Sequence, residues 1–421
     1  MLSLSACVQA IWPLSRNFEY AAEVALELRR THPAWWRQFE LVFDARGRYP
    51  LPQAQGFAFM AWLEEHFADA DSRLELLTAV ERAFRDGPGR LRTELRASVD
   101  CLDRDYKPRE DPDDPPELFG ERVVLYQPAA CAGYPDGLTA YLDNWTGRAL
   151  HGALVEPVVS PPASITDLTV VHDRRYVDGL FAFAAAGGGL LTPETEVAVD
   201  APAAVLAGAG AMIDATRRAL AGDPGPHLVG ARPGSHHAEH ARGGGTCLVN
   251  NIAVAAGWAL RRGVRSVGVV DLDAHHGNGT EQIFREDPRV FTMSVHQAGV
   301  FFPGTGSREE TGRGAGAGTN LNLPVTPESD WVAAVKAGLG QVARRRPRLL
   351  LVQFSADAHR SDPVSDLRVS DGEFAEAVRA LLELRVPVVF ELGASLSERA
   401  WVGALRALAQ AASERALADS A

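Results

Sequence analysis

A chain of 421 residues, 46% hydrophobic and 23% charged, has ordinary globular composition, which excludes a disordered or fibrous protein. Its formal net charge of −12 argues against nucleic acid as a partner, since phosphate binding rests on clustered cations. Only two of the 42 basic residues are lysines, Lys107 and Lys336, a compositional bias that points to no function.

The N-terminus, MLSLSACVQAIW, has neither a basic leader nor a long apolar run, and no stretch approaches the ~18 apolar residues of a membrane span. Cysteines Cys7, Cys101, Cys131 and Cys247 are scattered, without C-x-x-C spacing, so neither a disulfide framework nor a thiolate metal site is expected. Both observations lead to an expectation of cytoplasmic residence, with no membrane partner. A homo-oligomer is compatible with this composition.

Residues 1–118 read as a mostly helical N-terminal region of unknown role, with amphipathic runs such as FEYAAEVALELRR and DSRLELLTAVERAFRD. The stretch from Lys107 to Arg122 is rich in proline and acids and cannot continue a helix, so a boundary is placed near Leu118. From residue 119 to 421, short β-branched runs alternate with helical patterns. PHLVGA precedes a helix over Leu248 to Arg262, RSVGVVDLD precedes TEQIFRED, and VFTMSVH follows. RLLLVQFSAD then precedes GEFAEAVRALLEL, and PVVFELG precedes SERAWVGALRALAQ. That rhythm predicts an α/β fold, a doubly wound parallel sheet with helices on both faces, whose functional residues gather where strands end.

Eight of the twelve histidines fall between His227 and His359, mostly in polar segments after predicted strands. Asp271-Leu272-Asp273-Ala274-His275-His276-Gly277-Asn278-Gly279 directly follows RSVGVV. If extended, this segment points Asp271, Asp273 and His275 to one side. A carboxylate and an imidazole spaced by two residues suit zinc, and Asp357, also just after an apolar strand, is a candidate third ligand, which would leave coordination open for water and substrate. The same run equally suits a hydrogen-bonded loop capping the next helix. After PHLVGA, His236 and His237 bring neighbouring imidazoles to the same sheet edge, as water activation beside a metal requires. Solvated loop histidines are the plainer alternative.

Together these segments resemble the histone deacetylase and acetylpolyamine amidohydrolase family, of the arginase-deacetylase fold. The resemblance runs from about Val123 to Leu405 and also takes in Gly245-Thr246-Cys247, Asn250-Asn251, Ser294-Val295-His296, Phe301-Phe302-Pro303-Gly304-Thr305-Gly306 and Asp362-Pro363. It implies that Asp273, His275 and Asp357 bind zinc (Zn2+), and that His236 and His237 form a catalytic pair supported by Asp271 and Asn278. His237 is then the residue that accepts the water proton. It further implies a structural potassium (K+) site using Asp271, Asp273, His275, Ser294 and Val295, and a substrate that is a small acylated amine or an acyl-lysine.

Two positions depart from the family pattern. Where the family carries a tyrosine that helps stabilise the oxyanion, this chain has Ala394, and all seven of its tyrosines lie at or before Tyr176. Tyr134 and Ser395 are the candidate replacements. Of the two aromatic walls of the substrate channel, Phe302 is kept, while Thr246 replaces the other beside Gly245 and makes that wall smaller and more polar. Gly243 to Gly245 lack the lysine of a phosphate loop and are read as channel backbone. His240 and His276 are expected to hydrogen-bond within their loops. Two readings follow: a zinc-dependent deacylase, or a catalytically weak relative that binds acylated ligands or partners.

Overall fold

The structure, a computed structural model, describes residues 115–132, 134, 145–192, 195–299 and 301–420. The helices expected in residues 1–114 lie outside the described residues. The chain divides into two units, Met1–Lys107 with Gly189–Glu196, and Pro108–Gly188 with Val197–Ala421. A hairpin of β3 (Gly189–Thr192) and β4 (Thr195–Val197) is the described part that carries the first unit's residues.

The second unit is built on β1 (Arg122–Tyr126), β2 (Leu154–Val158), β5 (His227–Gly230), β6 (Val267–Asp271), β7 (Val290–Gln297), β8 (Asn320–Val325), β9 (Leu350–Phe354) and β10 (Val388–Leu392). They form one eight-stranded sheet in the order β2-β1-β5-β10-β9-β6-β7-β8. Every pairing in it is parallel. Parallel strands covered on both faces read as continuous apolar runs, and β6 and β9 are buried at every position.

Between the strands run α1 (Thr146–Ala149), α2 (Ile165–Leu168), α3 (Arg174–Ala185), α4 (Ala201–Leu220), α5 (Asn251–Arg261), α6 (Asn278–Phe284), α7 (Trp331–Arg344), α8 (Asp371–Leu382) and α9 (Glu398–Ser420). α4 and α5 pack on one face of the sheet, with α7, α8 and α9 on the other. Strand alternation sorts the side chains: Leu228, Val270, Val352 and Phe390 join the core under α7 to α9. Their successors Asp271, Gln353 and Glu391 therefore face α5. Side-chain caps start several helices. The Asn250 Oδ1 accepts the Ala253 N–H at α5, and Ser370 and Glu373 form a reciprocal capping box at α8.

The expected parallel α/β core is present, and it is larger than the sequence pattern indicated. β1, β2 and β8 extend the sheet and α4 and α7 cover it, none of them singled out by periodicity. α4 is rich in alanine and glycine, so it has little apolar contrast between its faces. Its glycines serve close approach: a Cβ on Gly210 would lie 2.2 Å from the Pro161 carbonyl oxygen. Among the described residues no helix is long and apolar enough to cross a membrane.

Trp401 of α9 is 1% exposed, and its Nε1 donates to Thr146 Oγ1 at 3.2 Å. Trp401→Ala is expected to lower the unfolding free energy by about 3–5 kcal/mol, read as a shift of the guanidinium midpoint.

Candidate active site

The carboxyl ends of β5, β6, β9 and β10 lead into the segments that hold the candidate residues, where open parallel sheets present their sites. After β6 the chain leaves the extended conformation. The Asp273 N–H donates to Asp271 Oδ1 at 3.1 Å and the His275 N–H to Asp273 Oδ1 at 2.9 Å. These Asx-type turns, rather than strand alternation, aim the three side chains. Asp271 consequently turns to His236, while Asp273 and His275 turn to Asp357.

Ligand atoms of Asp273, His275 and Asp357 all lie within 4.8 Å of one another. His275 Nδ1 stands 2.9 Å from Asp273 Oδ1 and 2.8 Å from Asp357 Oδ2. Both carboxylates are buried, whereas 20% of the His275 side chain is exposed. Burial alone would lower the His275 pKa, but hydrogen bonds to Asp273 and Asp357 outweigh it and push it up to about 10. Burial also raises Asp357, with the Asp273 charge adding to it, to about 7. Asp273 goes the other way: against its burial, the positive charges of His236 and His275 hold it well below the usual carboxylate range. Two buried acids around one imidazole thus demand a positive charge at their centre. A divalent cation taking one nitrogen and carboxylate oxygens fits that demand as well as the proton does, and the donor set is the one zinc accepts.

His236 and His237 stack with ring centroids 3.9 Å apart. His236 Nδ1 donates to Asp271 Oδ2 at 2.9 Å, and His237 Nδ1 donates to Asn278 Oδ1 at 2.7 Å. The Asn278 amide is oriented by its Nδ2, which donates to Glu239 Oε1 at 3.1 Å. Burial opposes charge on both rings, yet Asp271 and Asp273 lift His236 to about 9. His237 has no carboxylate partner, and burial together with the charges of His236 and His275 drives it well below the ordinary histidine value. The rings are therefore separated into a cation and a neutral base whose Nε2 is left free for a proton. A metal cation in place of the His275 proton acts on His237 in the same direction.

The candidate channel residues meet at His237. Phe302 packs edge-on to it with centroids 4.9 Å apart, and Phe301 stacks on His275 at 4.5 Å. Gly245 has φ +57°, and a Cβ there would lie 2.3 Å from His237 Cδ2 and 2.8 Å from Phe302 Cε1, so the backbone itself is the wall. Thr246 is half-buried at φ +61°, an uncommon conformation for a β-branched residue. Ala394 follows β10, and its carbonyl accepts from Ser355 Oγ at 2.6 Å. The two candidate replacement hydroxyls, Tyr134 and Ser395, are both hydrogen-bonded to neighbours outside the triad and the histidine pair. Tyr134 accepts the Ala198 N–H at 3.3 Å, and Ser395 donates to Asp362 Oδ2 at 2.7 Å.

Of the expected potassium set, Asp271 and Ser294 line a cavity of about 10 Å³ together with Thr280, Glu281 and Asn322, whereas Asp273, His275 and Val295 do not. Ser294 Oγ is also 2.9 Å from His296 Nδ1. His276 and His240 are hydrogen-bonded, but not within their own loops. His276 reaches Thr305 Oγ1 at 2.8 Å and Glu281 Oε2 at 3.0 Å, and His240 reaches the Val171 carbonyl at 2.6 Å. Glu239 carried no sequence signal for the site, since it reaches Asn278 from 39 residues away.

Residues 138–394 match the histone deacetylase domain. The chain is 32% identical over 230 residues to a probable deacetylase of Archaeoglobus fulgidus, covering 54% of this chain and 63% of that protein. It is 32% identical over 274 residues to the acetylpolyamine amidohydrolase of Mycoplana ramosa, covering 63% of this chain and 77% of that one. The fold resembles the crystal structure of an acetylpolyamine aminohydrolase from Burkholderia pseudomallei, with a TM-score of 0.62 and 23% identity over 69% of this chain and 98% of that chain.

Gly279 at the start of α6 offers a structural check. A Cβ there would lie 2.3 Å from the Ala238 carbonyl oxygen and 2.5 Å from the His237 carbonyl carbon. Gly279→Ala should force α6 and Asn278 away from His237, lowering stability by about 1–3 kcal/mol. Denaturation of the purified variant measures that loss.

Proposed function

The chain belongs to the histone deacetylase family, and on that premise we propose that it is a zinc-dependent amidohydrolase removing the acyl group from a small acylated amine or an acyl-lysine. The observation that carries this reading is the Asp273, His275 and Asp357 cluster beside a histidine pair with separated proton affinities. Zinc held by the three residues would polarise the acyl carbonyl and make water more acidic at the open coordination position.

The remaining chemistry falls to the chain's own groups. With Nδ1 committed to Asn278 Oδ1, His237 Nε2 takes a proton from the attacking water. The same nitrogen then returns it to the departing amine, so that amide and water become carboxylic acid and amine, which in water are carboxylate and ammonium. His236, tied to Asp271, stays positively charged and favours negative charge developing nearby. Gly245 and Phe302 pack against His237 and guide the acyl group toward it. The half-buried Thr246 leaves one side of the channel smaller and more polar than an aromatic would. The proposal includes a potassium ion at Asp271, Asp273, His275, Ser294 and Val295, supported by the cavity at Asp271 and Ser294.

A second reading, a weakly active relative that binds acylated ligands or partners, is favoured by Ala394, which offers no hydroxyl to an oxyanion. The two readings separate on a panel of acyl-lysine, acetylpolyamine and trifluoroacetyl amides. Ala394→Tyr is expected to raise turnover, the restored donor contributing on the order of 10²–10³. A wild type that binds zinc but cleaves nothing on the panel, beside an active Ala394→Tyr, would favour the binding protein. Asp273→Ala should abolish both stoichiometric zinc, read by elemental analysis, and any hydrolysis. Wild type without stoichiometric zinc contradicts both readings.

A further inference from the structure

Two buried histidines take no part in the proposed chemistry: His276, in the turn after β6, and His296, near the end of β7. Their ring centroids stand 4.7 Å apart, and each ring has one side fixed to the scaffold. His276 Nε2 donates to Glu281 Oε2 of α6 at 3.0 Å, and the same oxygen accepts from Asn320 Nδ2 and Asn322 Nδ2 of β8, both at 2.8 Å. His296 Nδ1 is held by Ser294 Oγ at 2.9 Å.

The opposite sides meet the segment 301–306. His276 Nδ1 lies 2.8 Å from Thr305 Oγ1, and His296 Nε2 donates to the Gly306 carbonyl at 3.1 Å. A carboxylate and a carbonyl can only accept, which puts hydrogen on Nε2 of both rings, and the Thr305 hydroxyl can match His276 Nδ1 as donor or acceptor. Gly306, at φ +95°, rests on both rings: a Cβ there would lie 2.4 Å from His296 Nε2 and 2.7 Å from His276 Cγ. Glu310 Oε2 then accepts the Gly306 and Ser307 N–H groups at 3.0 and 2.9 Å.

This segment supplies both aromatic contacts to the candidate site, Phe302 edge-on to His237 and Phe301 stacked on His275. The Gly304 N–H returns to the Phe301 carbonyl at 2.8 Å, so the two phenylalanines and Thr305 belong to one tight turn. Gly304 and Thr305 are exposed. Surface connections are ordinarily mobile, whereas a channel wall has to hold its place within about 0.5 Å.

We infer that His276 and His296 are positioning residues that seat the Phe302 wall through Thr305 Oγ1 and Gly306, a role that rests on reading the channel as an amidohydrolase site. A wall touches substrate in the ground state and the transition state alike, so loosening it raises KM and spares kcat. Lost folding does the reverse, since it removes active protein and leaves KM.

Thr305 tests the seat without disturbing a buried ring. Thr305→Val removes the hydroxyl, and KM for an acyl amide that wild type cleaves is expected to rise about tenfold with little change in kcat. Thr305→Ser should keep the wild-type KM. Gly306→Ala pushes the backbone off both rings and should also raise KM. In a Phe302→Ala background neither change should add to KM, because the wall is gone. An unchanged KM in Thr305→Val, or a rise that Thr305→Ser shares, refutes the seat on His276, and an unchanged KM in Gly306→Ala refutes the seat on His296. Additive effects in the Phe302→Ala background refute action through Phe302.

If wild type cleaves nothing, the amidohydrolase reading fails by itself, and ring-proton NMR of His237 at one pH decides the seat. Because Phe302 lies edge-on to that ring, Thr305→Val should move the His237 signals and Thr305→Ser should leave them. Unmoved signals in Thr305→Val refute the seat.

Discussion

Asp273 and Asp357 are carboxylates buried on either side of one imidazole, an arrangement tolerable only with positive charge between them. The rest of the site follows from that constraint. Its charge at His275 reaches the histidine pair, where it adds to burial and to His236 in keeping His237 neutral. Asp271, hydrogen-bonded to His236, keeps that ring positive together with the Asp273 charge. Three acids and three histidines thereby divide into a candidate cation site, a positively charged imidazole and a neutral one.

Such a cluster persists because its scaffold is dry and over-determined. β6 and β9 are buried along their full lengths and deliver Asp271 and Asp357 from adjacent strands. α6 begins so close to the histidine turn that Gly279 has no room for a side chain, and this contact sets Asn278 against His237. Close approach recurs at Gly245, where backbone takes the place of a side chain against His237 and Phe302. Precision in the site is bought by glycine at the points of contact and by full burial beneath them.

Departures from the family pattern concentrate on the substrate side. On the proposed reading the triad, the pair and their partners are brought together, while Ala394 takes the oxyanion position and Thr246 one channel wall. The Tyr134 and Ser395 hydroxyls are each engaged by their own neighbours. On that reading the chain keeps the groups for holding a cation and moving a proton, and differs where a transition state and an acyl chain would be touched.

The sequence by itself determined the residue types and their attachment to strand ends. Asp271 to Gly279 after RSVGVV, Asp357 after LLLVQF and the two histidines after PHLVGA were legible because apolar parallel strands and polar ends differ sharply in composition. Only the tertiary structure decided which atoms meet. Asp271 and Asp273 are two residues apart, yet local turns send them to different partners, which strand alternation did not anticipate. The strand order that sets Gln353 beside Glu391 joins segments distant in the chain, and the environments of Tyr134 and Ser395 are likewise made by distant neighbours. Local pattern reflects what each segment must bury, whereas proton affinity and hydrogen bonding depend on groups that only packing brings within a few ångströms.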